Sequence, residues 1–97
     1  MMQRIILNEK YTLSFEPLGN RVRLIILEVD VELVCRKETI KNLTNFLLKN
    51  EEKIFKGRLQ LYKHQNIIEV ILKGKPIAIF SVKKLIAVLN NLRQSIS

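Results

Sequence analysis

The sequence predicts an α+β fold: two tandem β-β-β(-β)-α repeats, each an antiparallel curved sheet covered on one face by an amphipathic helix. Three observations predict it. Apolar residues alternate with period two through much of both halves, and the period changes to about 3.6 only around Glu38–Lys49 and Val82–Ile96. Shifted by 46 positions without a gap, the chain lays its apolar pattern on itself, with Leu13 on Leu59, Val22 on Ile68, Leu24 on Val70, Ile40 on Ile86 and Leu43 on Leu89. Glycine and proline together number five, which leaves little room for long loops. The expected organisation is one domain of two units, residues 1–50 and 51–97.

In the first unit, RIIL near the N-terminus reads as an added strand that pairs through an Asn8-Glu9 turn with Tyr11–Phe15. A Gly19-Asn20 break leads into RVRLIILEV, and a second break at Glu28–Asp30 leads into VELVC. The first helix presents Ile40, Leu43, Phe46 and Leu47 on one stripe, leaving Leu48 as the one apolar residue off it. In the second unit Ile54-Phe55 is a fragment of a first strand, followed by RLQLY, a Lys63–Asn66 loop and NIIEVILKG. Gly74 can take the positive φ of a tight hairpin, so a Gly74-Lys75 turn is expected before IAIFS. Ser81 is placed as N-cap of a helix whose stripe is Val82, Leu85, Ile86, Leu89, Leu92 and Ile96.

With 47% apolar and 27% charged residues the composition is that of a folded chain. No apolar run approaches the roughly 20 residues of a membrane span, and MMQRIILNEK does not read as a secretory signal. A lone Cys35 makes no internal disulfide and fits a reducing compartment, so a cytoplasmic protein, free or associated with nucleoid or nucleus, is expected. No Gly-rich phosphate loop, paired-carboxylate motif or nucleophile elbow is present, and the expectation is a non-enzyme without a cofactor. One cysteine and one histidine, His64, do not make a zinc site. The EVDVE run (Glu28, Asp30, Glu32) reads either as a hard-cation ligand set or as a solvated turn.

The net charge of +8 lies entirely in residues 53–97, which hold nine basic side chains and one acidic, Glu69. Such asymmetry attracts polyanions. If the Lys63–Asn66 loop sets the register, Leu59 faces Val70 and Leu61 faces Ile68 under the helix, joined by Ile77 and Ile79. The open face then carries Lys56, Arg58, Gln60, Tyr62, Lys73 and Phe80 with Ile67 and Ile71, and Lys63, Lys73 and Lys75 form its rim. In the first unit Arg21, Arg23 and Arg36 take the corresponding face, Arg23 opposite Arg36, with Glu16 and Glu32 near enough to pair, while Cys35 sits opposite Leu24 in the core. Cations beside aromatic rings on an open sheet suit single-stranded nucleic acid. The alternative is that Tyr62, Phe80, Ile67 and Ile71 bury against a protein, as in an interaction module or a small regulator or inhibitor.

Two successive units of strands followed by a helix, with a basic open sheet, resemble the Pur/Whirly group of single-strand-binding proteins. Locally, KGKPIAIFSVKKLIAVLNNL at Lys73–Leu92 is similar to the strand-into-helix segment of the positive-cofactor-four family. The resemblance implies low-specificity binding of single-stranded DNA, ahead of RNA, and a homodimer or higher homo-oligomer with helices in the core. Those families have four full strands per unit, against three and a fragment in the second unit here, so the type of surface is carried over rather than individual residues.

Overall fold

The computed structural model describes residues 2–49 and 52–96, with side chains as far as Gln94. Strands β1 (Gln3–Ile6), β2 (Tyr11–Leu18), β3 (Arg21–Glu28) and β4 (Val31–Thr39) lead into α1 (Ile40–Leu48). Strands β5 (Lys53–Ile54), β6 (Leu59–His64), β7 (Ile67–Leu72) and β8 (Lys75–Ser81) lead into α2 (Val82–Ile96). Each quartet is a four-stranded antiparallel sheet in chain order. Local chemistry explains the joints. Asn8 Oδ1 accepts from the backbone N–H groups of Lys10 and Tyr11, both at 2.9 Å, and so makes the β1–β2 turn. Thr39 Oγ1 accepts from Asn42 N–H at 3.0 Å and Ser81 Oγ from Lys84 N–H at 3.2 Å, capping the two helices alike. Among the described residues no helix is long and apolar enough to cross a membrane.

The two-fold repetition is real in topology, but its 46-residue offset holds only for the β2–β3 and β6–β7 hairpins. The turn Gly19-Asn20 corresponds to Gln65-Asn66, yet Val29-Asp30 corresponds to Lys73-Gly74 and the cap Thr39 to Ser81. The β3–β4 hairpin is therefore two residues longer on each strand than β7–β8. On α2 the buried residues become Leu85, Val88, Leu89 and Leu92, while Ile86, expected on the core stripe, is 41% exposed. Ile96 lies outside the described side chains.

The β3–β4 and β7–β8 hairpins both turn on two consecutive positive-φ residues, Val29 (47°) with Asp30 (68°) and Lys73 (51°) with Gly74 (81°). This is the signature of a type I′ turn, whose twist matches that of the strands it joins. Val29 is β-branched, and left-handed backbone costs such a residue about 1–2 kcal/mol. Replacing Val29-Asp30 with Asn-Gly is expected to raise stability by about 1 kcal/mol. Urea unfolding followed by circular dichroism checks this, and an unchanged midpoint counts against the turn.

Register explains where the sequence-based faces fail. In β6–β7 Leu59 faces Leu72 and Leu61 faces Val70, two residues from the expected pairing, so the faces survive. The β3–β4 and β7–β8 hairpins each contain a β-bulge, between Ile26 and Leu27 and between Val70 and Ile71, which leaves Leu33 and Ile77 as the extra residues. One extra residue exchanges the two faces of the strand beyond it. Phe80 thus lies opposite Ile68 in the core, 5% exposed, and Ile79 lies opposite Glu69 on the outside, 58% exposed. Likewise Cys35 faces Ile25 on the outer side and Arg36 faces Leu24 on the inner side, the reverse of the expected arrangement.

One contiguous core draws on both sheets and both helices, including Leu13, Phe15, Leu24 and Phe46 with Leu61, Val70, Phe80 and Leu89. Neither helix stays within its own unit. Besides the strand preceding it, α1 touches β5, and α2 touches β1 and β2. Polar side chains reinforce the exchange: Asn91 Nδ2 donates to Gln3 Oε1 at 3.2 Å, and Asn8 Nδ2 donates to the bulged Ile77 carbonyl at 3.1 Å.

Candidate nucleic-acid interface

The β5–β6 loop and the β7–β8 turn meet at one end of the second sheet, where Lys73 N–H donates to the Arg58 carbonyl at 2.7 Å. Arg58, Lys73 and Lys75 are exposed there. On the other side of the loop, Lys53, Phe55 and Lys56 face Arg36 and Glu38 of β4 across a cleft of about 470 Å³. The Arg36 guanidinium lies over the Phe55 ring, 5.2 Å from its centroid, a cation–π contact between the two units. Phe55 is buried and holds φ at 73°, a conformation that a bulky residue adopts only when its surroundings enforce it. Glu38 is turned towards α1, its Oε1 accepting from Thr39 N–H and Asn42 Nδ2, both at 2.8 Å.

Arg36, Lys53, Lys56, Arg58, Lys73 and Lys75 form no ion pair with a described acid. Lys53 connects this end to the outer face of the sheet, its Nζ lying 5.5 Å from the Tyr62 ring centroid. Tyr62 stacks on His64, with centroids 6.4 Å apart and planes 9° from parallel, and its hydroxyl donates to Gln60 Oε1 at 3.0 Å. Glu69 Oε1 lies 3.7 Å from His64 Nε2, and Ile67, Ile71 and Ile79 complete the face. The arrangement offers clustered positive charge continuous with a flat ring pair. It can hold an extended polyanion that also presents flat groups.

Seven of the residues singled out by sequence come together here: Arg36, Lys56, Arg58, Gln60, Tyr62, Lys73 and Lys75. Phe80 does not, because the β7–β8 bulge turns it into the core. Lys63 does not either. It lies opposite Ile68 on the inner face, and its ammonium donates to the carbonyls of Phe46 (2.7 Å), Leu47 (3.0 Å) and Lys49 (2.7 Å). Those are orphan acceptors at the negative end of α1, so the lysine is a helix cap supplied from the other unit.

The first-unit arginines do not share one surface. Arg36 joins the cleft, whereas Arg21 and Arg23 stay on the outer face of the first sheet. Arg23 is enclosed, with Nε 2.9 Å from Cys35 Sγ, Nη2 2.9 Å from Glu32 and Nη1 3.5 Å from Glu16. The Cys35 contact, then the attraction of Glu32, lifts its pKa further above the ordinary guanidinium value, and its charge is matched within the chain. The acids expected near Arg21 therefore serve Arg23, and Arg21 is exposed. In the EVDVE run Glu28 pairs with Lys10 at 3.2 Å and Glu32 with Arg23, and the described residues contain no metal-binding cluster.

Sequence reasoning missed Lys53 and the inter-unit cleft. Arg36 and Lys56 belong to different units, and only the β4 bulge aims Arg36 at Phe55. No local spacing signals that meeting. No protein-family model, curated protein or solved structure matches the chain.

Proposed function

We propose that the chain binds single-stranded nucleic acid, DNA ahead of RNA, with low sequence specificity and without catalysing a reaction, in an intracellular, reducing setting. One observation carries this reading: six cations without acidic partners among the described residues converge on one end of the second sheet and run, through Lys53, onto the Tyr62–His64 stack. Phosphates sit on Arg36, Lys53, Lys56, Arg58, Lys73 and Lys75, and an unstacked base lies against Tyr62. Paired bases cannot reach that ring, which favours single strands over duplex. Fluorescence anisotropy with a labelled oligothymidylate and a matched duplex tests the proposal. Single-strand affinity should fall with salt at a logarithmic slope of roughly −3 to −4, as five or so neutralised phosphates require. Absence of binding at low salt overturns it.

A second reading, a protein-binding module or regulator, rests on Ile79 and Ile67, which are exposed beside Tyr62. In that reading a second copy or another chain closes the face. Sedimentation of the wild type against Ile79→Asp separates the two: a dimer abolished by the substitution, without oligonucleotide binding, favours the protein interface.

A further inference from the structure

The second surface feature lies on the helices, outside the basic end. Between α1 and α2 runs an apolar groove of about 130 Å³, lined by Thr44, Leu47, Leu48, Ile86, Leu89 and Asn90, with Arg93 at its edge. Two of its residues are unusually exposed for their type, Leu48 at 77% and Ile86 at 41%. Neither is needed by the core: the buried side chains of α1 are Leu43 and Phe46, and those of α2 lie on another stripe. Helical spacing puts Lys41, Thr44 and Leu48 on one line of α1, and Lys83, Ile86, Asn90 and Arg93 on one line of α2. Arg93 is tied across the groove, donating to Thr44 Oγ1 from the facing helix and, at 3.3 Å, to Asn90 Oδ1.

The one charged residue in the lining is Arg93, and the other charges on the two helices have its sign. The two helices carry Lys41, Lys83, Lys84 and Arg93, Lys49 follows α1, and neither helix contains an aspartate or glutamate. A second copy seated here would bring the same cations against each other. The lining holds no aromatic ring on which a base could stack. An apolar slot flanked by cations matches a helix with an apolar stripe bordered by carboxylates, the helix-in-groove mode of recognition.

We infer that the α1–α2 groove docks an acidic amphipathic helix of a partner protein, with an aliphatic side chain of the partner inserted between Leu48 and Ile86. The carboxylates on either side meet Lys41 along the α1 flank and Lys83 and Arg93 along the α2 flank. The contact is small, so its affinity falls in the range of about 10–100 μM. It is independent of the nucleic-acid surface.

The test is a titration of the ¹⁵N-labelled chain, followed by amide shifts, with a synthetic helical peptide of leucines at helical spacing flanked by glutamates. The same peptide with glutamine for glutamate is the control. Shifts at Thr44, Leu48, Ile86 and Arg93, at least tenfold weaker binding of the glutamine peptide, and at least tenfold weaker binding by Leu48→Glu or Ile86→Glu are expected. Both substitutions fall at exposed positions, and a circular-dichroism melt checks that folding is unaffected. Three results would overturn the inference: no shifts at these residues, equal binding of the two peptides, or a self-associated chain that Leu48→Glu converts to monomer. Movement of the same resonances by an oligothymidylate in place of the peptide would also overturn it.

Discussion

Phe80→Ala is expected to lower the free energy of unfolding by about 3–5 kcal/mol, the usual loss when a buried phenyl group is removed and its space is only partly refilled. Such a loss is a large fraction of the stability of a domain of this size. Its neighbour Ile79, pointing the other way, should lose no more than about 0.5 kcal/mol on substitution by alanine. Urea unfolding of the two variants, monitored by far-ultraviolet circular dichroism, reads the difference directly. The comparison also tests the bulge. If β8 kept an unbroken alternation with Phe80 on the open face, the two results would be exchanged, and Phe80→Ala would weaken oligonucleotide binding while leaving the fold intact. The buried position predicts the opposite: a fragile variant whose folded fraction binds as before.

Simultaneous Lys56→Glu, Arg58→Glu and Lys73→Glu substitution is expected to reduce affinity for single-stranded oligonucleotide by at least about 100-fold at low salt, with a shallower salt dependence. The equivalent reversal of Lys41 and Lys49 on and beside α1 should change it only severalfold, through net charge alone. All three altered residues are exposed, and no described acid pairs with them, so the folded state should tolerate the change. Anisotropy titrations at two salt concentrations give both affinity and slope. Equal effects from the two sets of reversals would mean that the protein attracts nucleic acid as a diffuse cation, and the localised interface would be wrong.

The sequence made the architecture legible because its signals were redundant. Period-two alternation, a cap at Ser81, and a glycine at a positive-φ turn all pointed to the same elements. The strand faces were less legible, for a definable reason. In IAIFS every position before the serine is apolar, so alternation cannot say whether Ile79 or Phe80 points inward. The decision falls to a bulge at Ile77, which no residue type announces. Cys35 and Arg36 followed the same logic in the corresponding hairpin of the first unit. The roles of Lys63 and Arg36 were out of reach for another reason. Each acts on the other half of the chain, one on the α1 terminus and one on Phe55, and spacing along a sequence carries no information about such encounters. Lys56, Arg58, Lys73 and Lys75 were found because a local excess of charge remains an excess in almost any register.

The exchange of helices between the units has a consequence for the chain's history. A half-length chain of one sheet and one helix would present the inner side of its first strands uncovered, since that cover comes from the helix of the other half. Its own helix would keep the strand that precedes it and lose the contacts it makes with the other half. A symmetric pair in which each copy lent its helix to the other would restore that cover. If this protein descends from a duplicated and fused gene, the ancestor was an obligate dimer, and fusion turned a concentration-dependent assembly into an intramolecular one. The two copies were then free to diverge, one keeping its acids balanced and the other becoming almost purely basic.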